Sequence, residues 1–212
     1  MFDPIEIEEY RGHKIKVYID TEPDDPRSWD NLGILTCFHK KYSLGDEHTL
    51  ETGDFESWED LESYLIADSD LLFCLPVFMY DHSGITVSHS PFSCRWDSGQ
   101  IGFHTVSKAK VRQECGVKRI SAELRRKVRA QLEAELSTYD QYLRGEVYGY
   151  MIEGNLCDDS CWGFYDEAEM LTECRSIIDY SITEARKSHY NLMKGWITKR
   201  VPFHYRYACP VA

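Results

Sequence analysis

The sequence predicts an α+β fold, with an antiparallel sheet of about five to seven strands packed against two long helices, in a single domain over residues 1–212. Three observations carry that expectation. Short runs, either alternating or wholly apolar, crowd the first half of the chain; a 3.6-residue apolar period fills 121–144 and 167–194; a hairpin-like pair of runs lies between those two stretches. A hydrophobic fraction of 42% and an aromatic fraction of 13% supply the side chains for a core and exclude a disordered or low-complexity chain.

The elements follow in order. Ile15, Val17 and Ile19 alternate with charge, as a half-buried strand requires. Pro23, Asp24, Asp25 and Pro26 then break the chain. Residues 34–38 form a short buried strand. Ser57 and Asp60 make a capping pair ahead of Trp58, Leu61, Tyr64 and Leu65 at helical spacing, and that helix ends near Ala67. The most apolar stretch, 71–80, is a central strand, and with 84–88 and 100–106 it makes an antiparallel meander. Ser107 caps a short helix that stops at Gly116. Ser121 opens the first long helix, with Leu124, Val128, Leu132, Leu136, Tyr139 and Leu143 on one face and Gly145 as its stop. Residues 147–153 and 161–165 form a hairpin. Asp166 with Glu169 caps the second long helix, whose Met170, Cys174, Ile177, Ile178, Ile182 and Ala185 face is expected to pack against another helix: one of a second subunit in a homodimer or of a partner protein, or that of 121–144 running antiparallel beside it with both covering the sheet. Gly195 ends it, leaving 195–212 as an appended tail with an edge strand over 201–207.

Net charge is −12, and its placement is uneven. Residues 1–70 hold 19 acids against 6 bases, a balance of −13. Such a surface repels phosphate backbones and steers a basic partner, so direct nucleic-acid binding is not expected and a basic nucleic-acid-binding protein is. Asp24, Asp25, Asp46, Glu47, Asp54, Glu56, Glu59 and Asp60 are the candidate binding surface. No run approaches the roughly 18 apolar residues of a membrane span, and the acidic start lacks the base of an export signal. The eight cysteines follow no regular framework and read as reduced thiols. A cytoplasmic protein without a membrane partner is the expectation.

No motif names a chemistry. Asp81 and His82 follow the most apolar strand, but neighbours in an extended segment point to opposite sides, and no Gly-x-Ser-x-Gly elbow supplies a nucleophile. Together with Trp96 and Asp97 they make a candidate functional loop. His82, His89, His104 and Cys94 are residue types that suit zinc, yet their spacing is irregular, and Cys157 and Cys161 lack a second Cys/His pair. No metal, cofactor or catalytic residue is therefore expected, and the protein is read as a non-enzyme. A metal-dependent hydrolase or nuclease built on the His82, His89 and His104 region is the alternative.

Several segments carry a resemblance: residues 29–33 with 37–46, the run 75–86 (Leu-Pro-Val-Phe-Met-Tyr-Asp-His-Ser-Gly-Ile-Thr), 91–102, 139–150 and 159–165. Over roughly residues 27–166 the chain resembles an uncharacterised family of phage, prophage and plasmid proteins of bacteria. The resemblance implies no catalytic residues. It implies a mobile-element protein acting in the host cytosol against a nuclease-based defence, CRISPR–Cas before restriction, by occupying a basic surface. A structural or regulatory phage protein is the further alternative.

Overall fold

The structure, a computed structural model, describes residues 3–68, 70–94, 96–202 and 205. The chain runs through β1 (Glu6–Tyr10), β2 (His13–Ile19), β3 (Ile34–Cys37), α1 (Trp58–Asp68), β4 (Leu71–Asp81), β5 (Ile85–Ser88), β6 (Ser98–Ser107), α2 (Lys108–Cys115), α3 (Ala122–Arg144), β7 (Tyr148–Glu153), β8 (Asp159–Phe164) and α4 (Glu167–Arg200). The α+β class and the antiparallel pairing hold. The strands, however, form two sheets of four, ordered β1-β2-β7-β8 and β3-β6-β4-β5, rather than one sheet of five to seven. No helix among the described residues is long and apolar enough to cross a membrane.

Two compact units divide the chain: Thr21–Glu146 is one, and Met1–Asp20 with Val147–Ala212 the other. In this terminal unit, β1 and β2 turn about Arg11 and Gly12, both at positive φ (49° and 80°), as a two-residue hairpin loop demands. β2 then pairs with β7 and β7 with β8. Ile15, Val17, Tyr150 and Ile152 line the inner face and bury Met170, Cys174 and Ile178 of α4. The face read from the 3.6-residue period thus packs on a sheet, as one of its two expected arrangements had it, and the strands beneath it are those of the terminal unit. Sheet and helix alone satisfy it because three consecutive inward positions, each one turn apart, cover the four inward strand residues. Nor does Gly195 end α4, which continues to Arg200; one glycine in a helix interior costs only about 1 kcal/mol. The expected tail strand over 201–207 lies largely outside the described residues.

In the central unit the long β4 and β6 pair along their length, with β3 outside β6 and β5 outside β4. The expected β4-β5-β6 meander is corrected: β6 returns to the far edge of β4, because a four-residue β5 offers a ten-residue strand too short a ladder. Ser107, Ser121 and Asp166 accept from the third backbone N–H of α2, α3 and α4, and Gly116 and Gly145 adopt the left-handed conformation that closes α2 and α3. Helix α3 buries Val128, Leu132, Glu135, Leu136 and Tyr139. The first two join Leu72, Val106 and Val111, whereas Leu136 and Tyr139 join Leu35, Val77, Met79 and Ile101.

Candidate functional site

The candidate acids all belong to the central unit, and their surroundings divide them in two. Asp46 is held by a buried arginine: Arg27 Nε donates to Oδ1 at 2.8 Å and Nη2 to Oδ2 at 2.6 Å, with the Arg27 side chain only 4% exposed. The same guanidinium donates to Gly33 O at 2.9 Å, and Asp46 Oδ2 accepts from Leu35 N at 2.7 Å. This bidentate clamp ties the two connections on either side of β3 to each other and to the strand, so Asp46 serves the fold. Asp25 accepts from Arg27 N at 2.8 Å, Asp54 from Glu51 N at 3.0 Å and Asp60 from Glu56 N at 3.2 Å, all local caps of turns and of α1. Asp24, Glu47, Glu56 and Glu59 are exposed and take part in no hydrogen bond or ion pair through their carboxylates among the described residues. They are the part of the predicted surface available to a partner.

Three of those four lie in a segment with a pronounced charge bias. Residues 46–70 carry ten acids and no lysine or arginine. Within the segment, Phe55, Glu56, Ser57, Trp58, Glu59 and Leu61 join Phe38 around a pocket of about 340 Å³. Phe38 lies 6.3 Å from Trp58 between ring centroids, Trp58 meets Phe103 edge-on at 6.2 Å, and Phe55 meets Tyr64 at 5.3 Å. Leu61 faces inward and Ser57 Oγ accepts from Asp60 N at 3.2 Å, which fixes the first turn of α1 beside the pocket. The pocket escaped the sequence reading because Phe55 sits in a loop, where aromatic residues have no period to reveal them, and Phe38, expected as the last residue of the 34–38 strand, falls just beyond the end of β3 at Cys37.

The loop expected at Asp81, His82, Trp96 and Asp97 is brought together in part. His82 Nδ1 stands 3.4 Å from Asp97 Oδ2, and Asp81 N donates to Asp97 O at 2.9 Å across the β4–β6 end. Asp97, fifteen residues further along the chain, is therefore the acid that faces His82, while Asp81 accepts from Tyr42 Oη at 3.2 Å. Cys94 Sγ lies 3.7 Å from the same Asp97 oxygen, and Trp96 is 95% exposed. The order is cysteine–aspartate–histidine. A nucleophile needs the histidine in the middle to take its proton, so this arrangement is not an acyl-transfer triad.

His89 and His104 lie elsewhere, stacked at 5.4 Å with His89 Nε2 3.3 Å from His104 Nδ1. His104 is fully buried, and its Nε2 lies 3.4 Å from Glu135 Oε2. Glu135 also accepts from Leu32 N at 2.9 Å, Gly33 N at 3.1 Å and Gln131 Nε2 at 3.3 Å. Burial raises its carboxyl pKa, but the histidine and those N–H donors together outweigh burial and leave it below the usual glutamate value. Burial, aided by His104, lowers the His89 pKa to about 4. Gly33 is needed here: a Cβ would stand 2.2 Å from His104 Nε2 and 2.5 Å from Leu132 Cδ2. The three histidines of the hydrolase alternative are thus split between two places, and no three His, Cys, Asp or Glu side chains among the described residues gather as metal donors. Burial also pushes the Cys37, Cys74 and Cys174 thiols up to about 12, which keeps them protonated.

Comparison with models of known protein families, with curated proteins and with solved structures finds no match.

Proposed function

We propose that the protein is a mobile-element protein of the phage, prophage and plasmid family it resembles, and that it acts in the bacterial host cytosol as a non-catalytic inhibitor of a nuclease-based defence, CRISPR–Cas. It occupies the basic nucleic-acid channel of a defence nuclease with an acidic face. The observation that carries the reading is segment 46–70, with ten acids and no lysine or arginine, in which Glu47, Glu56 and Glu59 stand exposed and unpaired. Carboxylates presented without interspersed cations accelerate encounter with a basic surface and exclude the phosphates that would compete for it. A binding role also agrees with the His82 loop, whose order of groups does not activate a nucleophile.

Self-association through α4 belongs to the same reading. Residues 186–200 of α4 are exposed throughout and include Tyr190, Leu192, Met193 and Trp196. Protection of target DNA from a purified Cas nuclease tests the inhibitor role. Protection that weakens as salt rises is expected; cleavage unchanged at a tenfold excess of protein contradicts it.

A further inference from the structure

We infer that the pocket formed by Phe38, Phe55 and Trp58 under Glu56 and Glu59 is a receptor for one arginine side chain of a basic protein segment; this rests on the acidic-face reading above. Its volume of about 340 Å³ lies at the low end of the range of small-ligand sites, roughly 300–1,000 Å³, which suits a single long side chain better than a cofactor. Its walls are aromatic. A guanidinium is planar, weakly hydrated and stacks on aromatic faces, whereas an ammonium gives up more hydration to enter such a site.

The two glutamates choose the charge. Both are exposed, and neither carboxylate is in an ion pair among the described residues. The N-terminus of α1 also borders the pocket and carries the opposite sign, but its effect is that of about half a charge, already met by the Ser57 cap. Two full carboxylate charges outweigh it. An anion is therefore disfavoured and a cation favoured, and the guanidinium's planar fork of N–H donors matches a carboxylate at the pocket rim.

The test uses the full chain labelled with ¹⁵N, with the Trp58 indole N–H as reporter, titrated with acetyl-Gly-Arg-Gly-amide and with its citrulline and norleucine counterparts. A saturable shift with the arginine peptide, roughly fivefold or more weaker with citrulline and norleucine, is expected. Glu56→Gln with Glu59→Gln should weaken arginine binding about fivefold while leaving the citrulline response unchanged. Because Trp58 packs on Phe103, Trp58→Ala risks the fold, and the double glutamine variant, altered only at exposed carboxylates, keeps the result interpretable. Equal binding of norleucine would reassign the pocket to an apolar side chain, and no saturable shift at Trp58 would remove it as a site; either outcome overturns the proposal. The two readings fail separately: arginine binding without any effect on a defence nuclease sinks the inhibitor role alone, and nuclease inhibition untouched by the double variant sinks the pocket alone.

Discussion

Helices α3 and α4 solve the same problem, a helix covering one face of a four-stranded antiparallel sheet, in different ways. Over 23 residues α3 buries an inward side chain at every turn from Val128 to Tyr139, one of them the carboxylate of Glu135. In α4, 34 residues long, only Met170, Cys174 and Ile178 are fully buried, and nothing from residue 186 onward is covered. At 1.5 Å per residue the exposed end extends about 22 Å. Helical periodicity therefore reports a potential face, and the sheet beneath decides how much of it is used. A charge on the face matters more than its length: Glu135 gathers the N–H groups of Leu32 and Gly33 and faces His104, whereas the buried stripe of α4 contains no ionised group.

That contrast predicts where each helix breaks. Ile178→Asp places an unpaired charge against Ile15, Val17, Tyr150 and Ile152 and should unfold the terminal unit, with loss of amide protection in β2 and β7. A folded chain with protected strands would mean that α4 does not sit on that sheet. Glu135→Ala should cost the central unit about 3–5 kcal/mol in urea unfolding, since it strips the partners from two backbone N–H groups and His104 at once. Glu135→Gln, which keeps the shape, should cost less than half of that.

Acid should discriminate the units further. The folded-state pKa of His89 lies near 4, below its unfolded value of about 6.5, so the unfolded chain binds the extra proton first. Stability of the central unit should be full above pH 6.5 and fall between pH 6.5 and 4, by at most about 1.4 kcal/mol per pH unit for one proton. Glu135 acts in the same direction at lower pH, because a depressed carboxyl loses its contribution as pH falls through its folded-state value. Denaturant midpoints of wild type and His89→Gln across this window measure the slope; an equal slope in the variant would assign it to other groups. The smallest effect belongs to the exposed end of α4. Trp196→Ala should leave stability within about 0.5 kcal/mol, and a change confined to sedimentation at high concentration would mark that face as a self-association surface.

Much of this fold was legible locally. The caps at Ser57, Ser107, Ser121 and Asp166 stand where the residues placed them, because an N-cap depends on one side chain and a backbone N–H three residues away. Strand partnership depends on distant chain, and there the reading fell short: the meander dissolved into β3-β6-β4-β5, and β1 went unseen because its acid-rich residues are half exposed at a sheet edge. Arg11-Gly12, a loop pair ahead of the alternating β2, was its one signal. Glu135 had a signal too, a lone acid three residues after Leu132 and four before Tyr139 on an otherwise apolar face. Of the candidate acids, composition identified the region but not which carboxylates the fold consumes, since Arg27 and the Leu35 N–H reach Asp46 and leave Asp24 exposed, a difference set by tertiary placement and not by residue type.

The division between consumed and available carboxylates is tested most directly by binding a purified Cas nuclease to two quadruple variants of the protein. Reversal of Asp24, Glu47, Glu56 and Glu59 to lysine should keep the fold, by circular dichroism, and abolish binding along with its salt dependence. Reversal of Asp25, Asp46, Asp54 and Asp60 should instead melt the loops they cap. Wild-type affinity and salt slope in the first variant would contradict the acidic face as the binding surface.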